Sequence, residues 1–359
     1  MKNKIRGLSM GAIRLLDCTL RDGGFINDWH FGEGNIKRIT RGAIAAGIDI
    51  IELGFIDARR PFDAARSIFP DTASINEIFK DISWEKATPV AMIDYGTCPL
   101  SKISPKRESL LTGIRVIFKK EARESALSFC AELQARGYAV FAQPVSVTSY
   151  TESELYHLFT LLNALRPTTV SIVDTYGLLQ KESLLYYFSL FDKALSNDIA
   201  LGFHAHNNLQ LAFSNCLSFL EIAKSRNCHR ALTLDGSMLG MGKSAGNAPL
   251  ELLLTHLKNQ GNVNYHLKPL LSVIDTVIVK LYGDSHWGYR LPFFLAAITC
   301  CHPQYVFHLT KELHLSTAEA FDVLGRLHQD KRLAFDKSHL LACLNEEEAK
   351  AHIFTGEKR

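Results

Sequence analysis

The chain has 359 residues, 47% of them hydrophobic, which suits a barrel of roughly 250 residues plus an appendix and argues against general disorder. A formal charge of +3, with no basic block interleaved with aromatics, argues against nucleic acid as a partner. The eight cysteines are scattered without a C-x-x-C, the pattern of reduced thiols rather than a disulfide framework.

The first residues, "MKNKIRGLSMGAIRLLD", are basic but lack a continuous apolar stretch, so no signal peptide is expected. No run approaches the roughly 18 apolar residues of a membrane span, and a cytoplasmic location is expected. Eight short apolar runs then follow in order: "AIRLLDCTL", "IDIIELGF", "TPVAMIDYG", "GIRVIFKK", "YAVFAQPVSV", "TVSIVDTYG", "IALGFHAH" and "RALTLDGSML". Several are apolar on both parities, as parallel strands covered on both faces should be.

Helix-length segments separate the runs. After the first, Ile36, Ile39, Ala43 and Ile44 keep the helical period, and Gly47 stands where a C-terminal cap belongs. "FKKEARESALSFCAELQARGYAV" repeats the order helix, glycine, strand. Eight such units predict a closed (β/α)₈ barrel, a TIM barrel, over residues 1–281; an open doubly wound sheet is the alternative. Residues 282–359 read as a C-terminal helical region, with Ser316 and Glu319 spaced as a capping box.

In such a barrel, chemistry gathers at the C-terminal ends of the strands. The polar motifs fall there: "TLRDGG" after the first run, Glu52 in the second, "DTYG" after the sixth, "HAHNN" after the seventh and "DGSMLGMG" after the eighth. Any one alone reads as a turn or a cap; their coincidence on one rim points to a site. His204 and His206, two residues apart on a strand, project to the same side and can share an ion. Asp22, one strand away in a closed barrel, can add a carboxylate. Two imidazoles and a carboxylate suit Mn²⁺ or Mg²⁺, with Co²⁺ or Zn²⁺ also admissible.

"LLDCTLRDGG", "GFHAHNNLQLA" and "LGMGKSAGNAPLE" closely resemble the DRE-TIM metallolyases, the superfamily of hydroxymethylglutaryl-CoA lyase and isopropylmalate synthase. "HAHNNLQLA" and "AGNAPLE" look most like its 4-hydroxy-2-oxovalerate aldolase branch. The resemblance implies that Asp22, His204 and His206 are metal ligands, with Asn247 as a ligand or its neighbour. It implies that Arg21 is the catalytic arginine and that Glu52 stands close behind the metal. A metal-dependent aldolase follows, interconverting a 4-hydroxy-2-oxoacid with pyruvate or a similar 2-oxoacid and an aldehyde.

One position departs from this pattern. The aldolases carry a histidine three residues after the metal-binding aspartate, where this chain has Phe25. The acid/base step must use another residue, a metal-bound hydroxide or a differently placed substrate; among residues, Tyr289, in "WGYR", is the loose match, and His286, His30 and Tyr176 are further candidates. The alternatives are an acyl-CoA condensing enzyme of the isopropylmalate synthase kind and a silent barrel that serves a partner enzyme. "LRDGG" stands where the condensing enzymes show "LRDGEQ", and a scaffold has no need of a buried charged cluster. The resemblance also implies an aldehyde dehydrogenase as a partner, and a homodimer is expected on general grounds.

Overall fold

The computed structural model describes residues 11–261 and 264–344. Residues 1–10 of the N-terminal stretch and residues 345–359 of the expected helical region lie outside the described residues. The strands are β1 (Ile13–Asp17), β2 (Ile50–Ile56), β3 (Ile68–Phe69), β4 (Thr88–Asp94), β5 (Gly113–Phe118), β6 (Ala139–Pro144), β7 (Thr169–Asp174), β8 (Ala200–Ala205) and β9 (Leu232–Gly236).

All the pairings are parallel, in the order β1-β9-β8-β7-β6-β5-β4-β2-β3, and β1 also pairs β2. That last pairing closes eight strands into a TIM barrel, with β3 as a two-residue addition beside β2. The eight expected runs are the eight barrel strands. β3 went unread because two residues carry no period. All seven residues of β2 and all six of β7 are buried, which is why these runs do not alternate.

Helices between the strands cover the outside. Glu33–Ala45 buries Ile36, Ile39, Ala43 and Ile44 as the period required, and Gly47 follows with φ +81°. Inside the barrel the layers differ in kind. Leu16, Cys18, Ile50, Val90 and Phe141 form an apolar floor. Above them, on the same strand faces, come Glu52, Arg115, Gln143, His204 and Asp235, all buried. The barrel therefore has a wet, charged upper half on a dry base, and that boundary positions the site.

Past the barrel, helices Leu291–Ile298, Pro303–Phe307 and Thr317–Arg326 bury a core of their own around Leu295, Tyr305, Val323 and Leu324. The Ser316–Glu319 capping box is formed: Ser316 N donates to Glu319 Oε2 at 2.7 Å and Glu319 N to Ser316 Oγ at 3.3 Å. These helices touch the barrel rim where Tyr176 donates its hydroxyl to the Leu333 carbonyl at 3.0 Å. Among the described residues no helix is long and apolar enough to cross a membrane. The eight cysteines are free thiols.

Candidate metal centre

His204 lies in β8 and His206 just beyond its end, and the strand period turns both into the barrel. Their ring centroids are 5.0 Å apart, with the planes nearly perpendicular. Nδ1 of His204 is 3.1 Å from Asp235 Oδ2, and Nδ1 of His206 is 3.1 Å from the main-chain oxygen of Asp174. A carbonyl and an ionised carboxylate can only accept, so both Nδ1 atoms donate. In its neutral form each ring then presents an unprotonated Nε2.

Asp22, in the turn after β1, supplies the carboxylate. Asp22, His204 and His206 are all buried, and their candidate ligand atoms all lie within 4.8 Å of one another. His206 Nε2 faces Asp22 Oδ2 at 3.4 Å and has no hydrogen-bond partner. With the ring in its neutral form two lone pairs would face each other in a buried site, a repulsion that a cation would relieve. Two imidazole nitrogens and one oxygen, with each imidazole held from behind by an acceptor, fit a divalent ion of the first transition row or Mg²⁺.

Arg21 is gripped at two points. Its Nε donates to Glu52 Oε2 at 2.7 Å and its Nη1 to Asp22 Oδ1 at 2.5 Å. Glu52, fully buried, lies as well 3.2 Å from Arg115 Nη1, and Arg115 Nη2 reaches Asp235 Oδ2 at 2.5 Å. A circuit of alternating charge thus runs Asp22, Arg21, Glu52, Arg115, Asp235, His204. It holds three carboxylates against two guanidinium groups, an excess of one negative charge that favours a cation.

Burial opposes every one of these charges, and the neighbours decide the outcome. Burial raises the Asp22 pKa, but Arg21 outweighs it and holds the group well below the usual range. Burial likewise raises Asp235, and Arg115 brings it below normal. Burial lowers Arg21, yet Glu52 and Asp22 leave it firmly protonated. Burial lowers His204 more than its bond to Asp235 raises it, so that ring is neutral near pH 7.

Two glycines permit the approach. A side chain at Gly242 would start 2.2 Å from Asn247 Nδ2 and 2.6 Å from Asp22 Oδ2. A side chain at Gly24 would collide with the Trp29 ring at 1.9 Å. Trp29 is held with φ +57° and donates its indole N–H to the Arg21 carbonyl at 2.8 Å. The second glycine of "RDGG" thus makes room for the ring that fixes the arginine.

Asn247 joins the cluster through Nδ2, which donates to Asp22 Oδ2 at 2.8 Å, while its Oδ1 is buried without a partner. Tyr289 is 56% exposed, and its ring rests on Phe294 at 6.2 Å between centroids. His286 packs on Tyr282, His30 bridges Arg66 through the main chain, and Tyr176 spends its hydroxyl on Leu333. Phe25 packs edge-on against Trp29 and Phe55.

Sequence reasoning did not single out Arg115, Gln143, Asp174 and Asp235 as individual residues. Asp174 and Asp235 stood inside motifs that mark the rim, and an arginine inside the apolar run "GIRVIF" was the one further signal.

This arrangement defines a class: a (β/α)₈ barrel whose rim holds a His₂–carboxylate cluster backed by a buried arginine. Residues 113–277 match the HMGL-like family model. It is 26% identical over 254 residues to the oxaloacetate decarboxylase of Mycobacterium tuberculosis, covering 69% of this chain and 71% of that protein. It is 25% identical over 257 residues to a 4-hydroxy-2-oxovalerate aldolase of Geobacillus genomosp. 3, covering 70% and 72%. In fold it is similar to the N-terminal domain of a candidate aldolase from Bacteroides vulgatus. That likeness has a TM-score of 0.67 at 21% identity and covers 84% of this chain and 98% of that one. Lyases and aldolases among the relatives support an enzyme.

Proposed function

We propose that the chain is a divalent-metal-dependent carbon–carbon lyase that interconverts a 4-hydroxy-2-oxoacid with pyruvate, or a similar 2-oxoacid, and an aldehyde. The observation that carries this reading is the facing set of Asp22, His204 and His206, with both Nδ1 atoms tied back and Nε2 of His206 left without a partner. Asp22, His204 and His206 would hold the ion, and Asn247 Oδ1 would stand as a further donor. When bound, a Mn²⁺ or Mg²⁺ ion supplies Lewis acidity to the keto oxygen and carboxylate of a 2-oxoacid.

Arg21 does the rest of the electrostatic work. Its Nε and Nη1 are committed to Glu52 and Asp22, which aims the guanidinium and leaves Nη2 as a donor to a developing enolate oxygen. Glu52 fixes that aim from a fully buried position. Tyr289 is the proposed proton carrier for the 4-hydroxyl; a Tyr289→Phe variant that cleaves substrate at the wild-type rate removes it from that role.

A second reading is favoured by Phe25. Decarboxylation of a 3-carboxylated 2-oxoacid such as oxaloacetate gives the same pyruvate enolate with no hydroxyl proton to remove. The absence of a base at this position fits that reaction, and one relative is named for it. The free thiols support a reducing, cytoplasmic setting. A homodimer is proposed on general grounds, and an aldehyde dehydrogenase partner from the family resemblance.

The test is proton exchange at the pyruvate methyl group in deuterated water with Mn²⁺, followed by nuclear magnetic resonance. The wild-type protein should erase the methyl signal, and Arg21→Ala should slow the loss by about 100- to 1000-fold, the usual effect of deleting one such donor. A wild-type protein that leaves the signal intact ends both readings. Carbon dioxide released from oxaloacetate, against aldehyde released from a 4-hydroxy-2-oxoacid, separates them.

A further inference from the structure

Two lysines at the barrel mouth have no carboxylate partner. Lys243 follows Gly242 in the loop after β9; it is half-buried, and its ammonium stands 5.2 Å from the centroid of the Phe25 ring. Lys119 directly follows β5 with extended backbone, φ −82° and ψ 159°. The strand period therefore continues through it and puts it on the inner face with Arg115 and Ile117. Among the described residues neither lysine has an ion-pair partner.

The C-terminal helices bring a third group to the same place. The His302 ring packs edge-on against Tyr176, the rim residue after β7, with centroids 5.5 Å apart. His302 N also donates to the Arg332 carbonyl at 2.7 Å, beside the Tyr176–Leu333 bond, which ties the segment to the rim. Burial pushes the His302 pKa down to about 4, and the ammonium groups of Lys243 and Lys119 lower it further. Its Nδ1 accepts from Gln304 N at 3.2 Å, so the neutral ring carries its proton on Nε2 as a donor.

Two carboxylates face this group, Asp22, whose Oδ2 accepts from Lys243 N at 3.2 Å, and Asp94. Asp94 ends β4 on the inner face shared by Val90 and Met92, within the field of Lys119, Arg59 and Lys243. It is exposed, and among the described residues it forms no ion pair with either lysine. Arg59 is already committed to Asp57 at 2.6 Å. What remains is two ammonium groups without an ion pair and an imidazole N–H beside an apolar ring, at the same mouth as Arg21 and the cluster.

We propose that Lys119, Lys243 and His302 form a subsite for an anionic oxyacid group, phosphate or carboxylate, at the end of the substrate remote from the 2-oxoacid. The inference rests on the lyase reading for its orientation and names the substrate class: an anionic rather than a neutral aldehyde or leaving group. Phe25 supplies the apolar wall beside the carbon chain. A half-buried ammonium without a counter-ion is costly, and a bound anion is the partner that offsets this cost.

Calorimetry on the full chain tests this without turnover, using glycerol 3-phosphate, glycerate and glycerol as probes, with Mn²⁺ and after chelation. At least one of the two anions should bind at least tenfold more tightly than glycerol, and binding should persist without metal. Lys243→Met and Lys119→Met should each weaken it at least fivefold, and Lys243→Arg should restore most of it; Lys119→Met, an exposed position, serves if Lys243→Met does not fold. Preference for the phosphate or for the carboxylate identifies the group, and either result supports the subsite. Anion binding no tighter than that of glycerol, lost on chelation, or unchanged in both lysine variants overturns it. Pyruvate exchange is read separately: exchange without lysine-dependent anion binding removes only the subsite, and lysine-dependent binding without exchange removes only the lyase reading.

Discussion

Arg115 and Asp235 meet at 2.5 Å in the middle of the barrel, each 1% exposed, and the same Asp235 oxygen lies 3.1 Å from His204 Nδ1. One carboxylate oxygen therefore couples a guanidinium on β5 to the tautomer of an imidazole on β8. Asp235→Asn keeps the shape but replaces an ionised acceptor with an amide. Mn²⁺ affinity, measured by calorimetry, should fall about 10- to 100-fold, the usual result of losing the group behind a metal-binding histidine. An unchanged affinity would separate His204 from the ion.

Arg115→Met should cost about 3–5 kcal/mol in denaturant unfolding, because Glu52 and Asp235 would then share a buried layer with no cation between them. A double variant, Arg115→Met with Asp235→Asn, should recover part of that loss. If the single variant is as stable as the wild type, the circuit is not fully desolvated.

Gly242→Ala probes the close approach. A methyl group there would sit 2.6 Å from Asp22 Oδ2 and 2.2 Å from Asn247 Nδ2, so both must move. We expect a folded protein, judged by an unaltered far-ultraviolet circular dichroism spectrum, whose Mn²⁺ uptake is at least tenfold weaker. Uptake at the wild-type level would mean that Asp22 tolerates the shift.

Asp17 gives a dependence on pH. Burial at the top of β1 pushes its pKa up to about 6, against bonds from Thr19 that lower it. A carboxyl raised in the folded state binds its proton more tightly there than when unfolded. Its stabilisation is complete below the unfolded value of about 4 and is lost as pH climbs through about 6. Relative to Asp17→Asn, the wild type should lose about 2–3 kcal/mol of unfolding free energy between pH 4 and pH 7, since each tenfold change in proton affinity is worth about 1.4 kcal/mol. A constant difference across that range would mean that Asp17 is not desolvated.

Much of the architecture was legible along the chain because the signals are local. A strand buried on both faces has to be apolar throughout, and a covering helix has to repeat every 3.6 residues. The eight runs and the Ile36–Ile44 face followed from that alone. The same period of two turned "HAH" into two imidazoles on one side, and strand-end position marked Asp22 as their partner.

What the sequence could not contain is which distant residues meet. Tyr289 matched a motif loosely, and its exposed place against Phe294 is set by how the C-terminal helices dock, which a motif does not carry. Arg115, isolated in an apolar run, finds Glu52 and Asp235 only when β2, β5 and β9 close into one cylinder. The tautomers of both histidines, the ring of alternating charge and the unpaired lysines beside His302 arise in the same way. Local chemistry specified the parts, and barrel closure decided their partners, because a charge is settled by what surrounds it in space and not by its neighbours along the chain.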